Sequence, residues 1–259
     1  MKKFYYVMFS LISIVLFVFT SNAATVMSWY CKRNNLHNQP SLGNDLSIAE
    51  KYDVYWCDKN HTSMEEDDKV IYLTFDAGYE NGNIEKILDT LKMENVKATF
   101  FILDNMIIKG KNIVKRMIDE GHTVANHTLR HKDMSKISNI EDFEKELTSL
   151  ETLFKESFGQ NMSKYYRPPE GKFTEENLKW AQDLGYKTIM WSFAYADWDN
   201  KNQPSCDNAL NKILSNVHNG EVILLHPTSS TNAEIMPKLI QELKKQGFRF
   251  GDMEELCAF

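Results

Sequence analysis

From Val70 to Phe250, short apolar runs of strand composition alternate about seven times with stretches of helical period, and a polar residue able to do chemistry follows several of those runs. With a hydrophobic content of 42%, enough to fill a core, these observations predict an α/β fold: a distorted, incomplete (β/α)7 TIM-like barrel behind an irregular N-terminal extension. An open, doubly wound sheet is the alternative. It would spread the polar groups along an edge, whereas a barrel gathers the carboxyl ends of its strands on one face.

The first element is a leader. Lys2 and Lys3 precede an apolar run from Phe4 to Phe19, and Ser21-Asn22-Ala23-Ala24 supplies small residues after it, the layout of a secretory signal peptide covering 1–23. The run is 16 residues long, short of the roughly 20 that a membrane-spanning helix needs. Contact with a membrane is therefore expected only through an uncleaved leader. Cleavage removes two lysines and no acids, so the formal net charge moves from −6 to −8. No basic face is expected in such a chain, which argues against nucleic acid as a partner.

Residues 24–68 are rich in Asn, Asp, Lys and Ser and end in Glu65-Glu66-Asp67-Asp68. They show no sustained period and read as an irregular extension lacking core residues. Export permits disulfides, and the expected pairs are Cys31 with Cys57 and Cys206 with Cys257, against the alternative of four free thiols. A bridge closing the first loop would contribute about 3 kcal/mol on the chain-entropy estimate.

A catalytic domain is expected over 69–259. Val70 to Phe75 has strand composition, and Ile84, Ile87, Leu88 and Leu91 then recur at helical spacing. Further strands are expected at Ala98 to Leu103, Thr123 to Ala125, Tyr165-Tyr166, Thr188 to Trp191, Glu221 to Leu225 and Phe248 to Phe250. Helices are expected around Ile113 to Ile118, Asp142 to Phe158, up to Trp180, Asn208 to Val217 and Glu234 to Lys245.

Five groups carry candidate chemistry. Asp76 follows an apolar strand and precedes a glycine-containing turn, where a carboxylate can serve as a general base or merely cap a loop. His127 and His131, four apart, share one side if the segment turns helically, a spacing that suits Zn²⁺ or a similar divalent ion but also occurs in structural pairs. Arg167, stiffened by Pro168-Pro169, can orient a carboxylate and keep it ionised, or form a surface salt bridge. His226 ends the strand Leu224-Leu225 as a proton donor or acceptor, and Asp197, next to Trp198, can pair with His226 or Arg167 or cap its loop.

Together the Thr-Phe-Asp-x-Gly segment, the His-x-x-x-His pair, Arg-Pro-Pro, Asp-Trp and Leu-Leu-His resemble, in order and spacing over about residues 70–250, the polysaccharide deacetylases, the NodB-homology carbohydrate esterases. The longer segment Thr74 to Gly82 and the leader are similar to the spore-cortex peptidoglycan deacetylases within that family. The resemblance implies Asp76 as catalytic base, His127 and His131 as metal ligands, Arg167 as the group orienting the base, His226 as general acid and Asp197 as its tuning acid. Tyr166 and Trp198 are expected to line an aromatic glycan cleft. The substrate implied is N-acetylmuramic acid in peptide-stripped peptidoglycan, on the route to the muramic δ-lactam of spore cortex. N-Acetylglucosamine in peptidoglycan or chitooligosaccharide, and a non-catalytic glycan-binding module, remain alternatives. A glycosidase could use Asp76 with Glu80 as paired carboxylates, but would have no use for the histidine pair.

The sequence departs from the family at Ala77, where many members carry the acid that completes a metal triad. Two imidazoles and water hold an ion less firmly, so weak binding of the divalent ion is expected, with recruitment of another ligand such as Asp76, or oxyanion stabilisation without metal, as the alternatives. The partner implied is the glycan strand of peptidoglycan, the expected oligomeric state is a monomer, and the expected location is secreted or wall-associated, including the forespore intermembrane space.

Overall fold

A computed structural model describes residues 24–33 and 36–258, so the leader expected at 1–23 lies outside the described residues. One sheet organises the domain. Its strands in chain order are β1 (Val54–Tyr55), β2 (Lys69–Ala77), β3 (Thr99–Ile102), β4 (Thr123–Asn126), β5 (Tyr165–Tyr166), β6 (Lys187–Ile189), β7 (Glu221–Leu225) and β8 (Phe248–Phe250). They lie in the order β7-β2-β3-β4-β5-β6-β1, with β8 beside the first residues of β2. Every pairing in this sheet is parallel, in the incomplete barrel that the alternation predicts. The ring is drawn together beyond β6, where Phe193 bridges Ile223 and the Leu224 N–H donates to the Phe193 carbonyl at 2.9 Å.

Helices cover the outside: α1 (Asn83–Met93), α2 (Asp104–Lys109), α3 (Lys111–Asp119), α4 (Ile140–Phe158), α5 (Glu175–Asp183), α6 (Cys206–Leu214), α7 (Ser230–Lys245) and α8 (Met253–Leu256). Among the described residues no helix is long and apolar enough to cross a membrane. The period-2 alternation of β2 divides its residues between two cores. Ile71, Leu73, Phe75 and Ala77 pack in the cluster with the helices, whereas Val70 and Tyr72 pack inside the barrel with Phe101, Ala125, Ile189 and Val222. Asp76 has the parity of the interior set and stands at the mouth; Ala77 falls on the helix side, fully buried.

Two expectations for the extension are corrected. It has a core of its own, in which Trp29, Leu46, Val54 and Trp56 pack against Phe173, Leu178 and Met190. It also supplies β1, whose two residues are too few to show a period. The expected disulfides are absent: all four cysteines are free thiols. The Cys31 thiol donates to the Trp191 carbonyl, the Cys57 thiol donates to Gln39 Oε1, and Cys206 and Cys257 lie in different clusters.

Candidate active site

The interior parity of five strands delivers the site. Asp76 is the penultimate residue of β2, His127 follows β4, Arg167 follows β5, Trp191 lies two residues beyond β6 and His226 follows β7. Asp76, His127, His131, Glu170, Trp191 and His226 line one cleft of about 670 Å³, with Tyr79 and Trp198 also on its walls.

Arg167 has no exposed surface and is held by three bonds that fix its plane. Nε donates to the Ile189 carbonyl at 2.9 Å, Nη2 to the Met190 carbonyl at 3.2 Å, and Nη1 to Asp76 Oδ1 at 2.8 Å. Its guanidinium also stacks 4.2 Å from the Phe101 ring centre. Burial favours a neutral Asp76, but His127, charged only in the acid range, together with Arg167 and His226 outweighs that and holds its pKa below the usual carboxylate value. Arg167 is the one charged at every working pH.

Burial lowers the His127 pKa to about 4, so its imidazole is neutral near pH 7. Nδ1 lies 2.9 Å from the Arg167 carbonyl, which can only accept, so the proton sits on Nδ1 and Nε2 keeps its lone pair. That lone pair faces Asp76 Oδ2 at 3.6 Å with no proton between them. The His131 ring stands 5.0 Å from the His127 ring, centre to centre. Two imidazoles beside an ionised carboxylate form a donor set that fits a divalent cation.

The segment from His127 to His131, whose rings would share one side in a helical turn, does not form one. Thr128 and His131 adopt positive φ, 72° and 55°, and the loop is tied by Thr128 N–H donating to Asn126 Oδ1 and His131 N–H donating to Thr128 Oγ1. A left-handed turn brings the rings together here. Among the described residues, the group of three donors whose ligand atoms lie within 4.8 Å of one another is Asp58, His61 and Glu255, outside this cleft.

Asp197 pairs with His226 and not with Arg167. His226 Nδ1 donates to Asp197 Oδ1 at 2.7 Å and the His226 backbone N–H donates to Oδ2 at 2.8 Å. Burial opposes protonation of His226, but the hydrogen bond and charge of Asp197, aided by Asp76, raise its pKa above the usual imidazole value. With Nδ1–H committed to Asp197, the proton on Nε2 is the one free to be donated. Sequence reasoning missed Asn232, whose Nδ2 donates to Asp197 Oδ2 at 2.6 Å. Its signal was the cap at the start of α7, where Ser229 Oγ accepts from the Asn232 N–H and so fixes that first turn.

Of the expected aromatics, Trp198 is 62% exposed on the cleft wall. Tyr166 is not in the cleft. It is 2% exposed, packed edge-on to Phe143 and Tyr186, because strand alternation turns it to the helices while its neighbour Arg167 turns in. Tyr79, Glu170 and Trp191 were not singled out from the sequence, since each becomes recognisable only when separate loops meet. Glu80 does not join Asp76 as a paired acid: its carboxylate accepts from the Gly82 N–H at the start of α1 and lies off the cleft.

Residues 63–189 match the profile described as polysaccharide deacetylase. The peptidoglycan-N-acetylmuramic acid deacetylase PdaA of Bacillus subtilis is 37% identical over 231 residues, 89% of this chain and 85% of its own length. Its solved structure has a TM-score of 0.83 at 36% identity, covering 90% of this chain and 97% of that one. A family 4 carbohydrate esterase structure from Bacillus anthracis has a TM-score of 0.70 at 35% identity, over 87% of this chain and 98% of that one. A peptidoglycan-N-acetylglucosamine deacetylase of Bacillus cereus is 37% identical over 184 residues, 70% of this chain and 65% of that protein. With its fold and most of its length shared with these proteins, the chain belongs to the polysaccharide deacetylases of carbohydrate esterase family 4.

Proposed function

We propose that this hydrolase de-N-acetylates peptidoglycan, and specifically N-acetylmuramic acid in peptide-stripped strands on the route to the muramic δ-lactam of spore cortex. The observation that carries the chemistry is the meeting, in one cleft, of a carboxylate gripped by Arg167 with an imidazole bonded to Asp197, contacts that lower the pKa of Asp76 and raise that of His226. Asp76 takes a proton from the attacking water, whose oxygen bonds to the acetyl carbon. His226 then gives its Nε2 proton to the leaving nitrogen as the C–N bond breaks, so acetate and a free amine result. Arg167 keeps Asp76 ionised and aimed; Asp197, braced by Asn232, keeps His226 protonated. His127 and His131 are the residues that would hold a divalent ion, which supplies Lewis-acid polarisation of the acetyl carbonyl. With Ala77 lacking a donor, the affinity for that ion is weak.

The choice of sugar is supported by the extent of the likeness: PdaA matches 89% of this chain, extension included, and the B. cereus N-acetylglucosamine enzyme 70%. One observation favours N-acetylglucosamine instead. Among the described residues no lysine or arginine lines the cleft to meet a lactyl carboxylate, and Glu170 is acidic. The proposal includes export through a leader at 1–23, an extension at 24–68, a catalytic domain at 69–259, a monomeric state and action at the wall or in the forespore intermembrane space. Intact and amidase-treated peptidoglycan incubated with the protein, then digested and weighed by mass spectrometry, tests it. Loss of 42 Da, about one acetyl group replaced by hydrogen, on muramic residues of amidase-treated material alone is the expected result. Loss on glucosamine residues instead would establish the second sugar.

A further inference from the structure

The family profile begins at residue 63, yet two loops that carry cleft-lining residues are held from behind by a residue well before it. Trp29 is 6% exposed and touches two cleft loops at once. Its indole N–H donates to the Trp191 carbonyl at 2.8 Å, and its backbone N–H donates to the Gly171 carbonyl at 2.8 Å. Immediately before it, Met27–Ser28 pairs antiparallel with Lys172–Phe173. The extension is thus zipped onto the segment that follows Arg-Pro-Pro.

That segment needs an outside hold. Glu170 and Gly171 both have positive φ, 58° and 62°, a region a glutamate rarely occupies unless its surroundings impose it. Gly171 is also the meeting point of two indoles. A Cβ there would lie 2.7 Å from the Trp191 ring and 3.0 Å from Trp29 Cβ, so the missing side chain lets Trp29 and Trp191 close on the same backbone. Glu170 and Trp191 in turn line the cleft, and the Trp191 ring lies 5.7 Å from the Arg167 guanidinium.

We propose that Trp29 is a positioning residue of the deacetylase site: by bonding to Gly171 and Trp191 together it sets the separation of the Glu170 and Trp191 walls, so that the N-terminal extension governs how tightly the sugar is held. This rests on the reading of the site given above. The bonds that fix Asp76 and His226 come from Arg167, Asp197 and Asn232, none of which is supplied by the extension. Loosening Trp29 therefore weakens glycan binding and leaves the proton-transfer groups aligned.

The test uses the full chain with Trp29→Phe, which keeps a ring but removes the N–H donor, and Trp29→Ala. Acetate release from peptide-stripped glycan strands gives kcat and KM, calorimetric titration with the same strands gives Kd, and thermal unfolding shows that each variant is folded. The expected result is a KM and Kd raised about tenfold in Trp29→Phe, with kcat within about twofold of the parent, and a larger rise in Trp29→Ala. A KM and Kd within about twofold of the parent in the folded Phe variant, or a fall in kcat at unchanged KM, overturns the proposal. If the parent releases no acetate, the reading of the reaction fails, and the Kd values still decide the role of Trp29.

Discussion

The two ends of the barrel use the same residue types for opposite purposes. Toward the amino end, Asp58 is fully buried and accepts from the Tyr72 hydroxyl at 2.5 Å, from His61 Nδ1 at 2.8 Å and from the Asn60 N–H at 2.8 Å. His61 uses its second nitrogen on Asp68, which Arg249 also grips. At the carboxyl end Asp76 also has a histidine beside it, but the Nε2 lone pair of His127 faces the carboxylate unprotonated, and both open on a cleft. An Asp–His pair is structural where both ring nitrogens and both carboxylate oxygens are bonded, and available for chemistry where a ring nitrogen is left over beside space for a ligand.

The largest effect expected at the open end is the loss of the acid or the base. Asp76→Asn and His226→Ala should each lower kcat by about 10²–10⁴-fold, the range general acid–base groups supply, with thermal unfolding little changed. At the sealed end the order reverses. Asp58→Ala should leave kcat for acetate release intact and lower unfolding stability by about 3 kcal/mol in a denaturant titration, because it strands the Tyr72 hydroxyl and the His61 charge. A kcat loss in Asp58→Ala comparable with that in Asp76→Asn would erase the distinction between the ends.

A smaller effect separates His226 from its support. Because the folded pKa of His226 is raised by Asp197, Asp197→Asn should lower it, moving the alkaline limb of the rate profile to lower pH and cutting activity about tenfold at neutral pH. The smallest effect is on stability. The His61 pKa is raised, since Asp58 and Asp68 together overcome its burial. Its contribution is fully present below the unfolded imidazole value and is lost as pH rises through the raised one. Unfolding titrations across that window should show a small decline in stability that His61→Asn abolishes.

What the sequence made legible follows from physical scale. Strands β2, β5, β7 and β8 were readable because an apolar run next to a helical period needs no distant information, and Asp76, Arg167 and His226 were readable because each directly follows such a strand. Strand β1 was not, since no helical stretch follows Val54–Tyr55 and its pairing partner Lys187–Ile189 lies far along the chain. Tyr166 was placed on the wrong side because assigning a face requires the phase of the alternation, which only a fixed neighbour such as Arg167 provides. The turn at His127 to His131 depends on left-handed Thr128 and His131, positions that residue type does not announce. Trp29 reads as one aromatic in a polar extension until the fold brings Gly171 and Trp191 to it.

The central claim is that one cleft holds an ionised Asp76 and a protonated His226. The most direct measurement is kcat/KM for acetate release from peptide-stripped glycan across the pH range, for the parent and Asp197→Asn. The account predicts a bell whose acid limb lies below the ordinary carboxylate value and whose alkaline limb lies above the ordinary imidazole value, with only the alkaline limb moving down in the variant. A rate that climbs without an alkaline limb through the imidazole range, or limbs identical in both proteins, would contradict it.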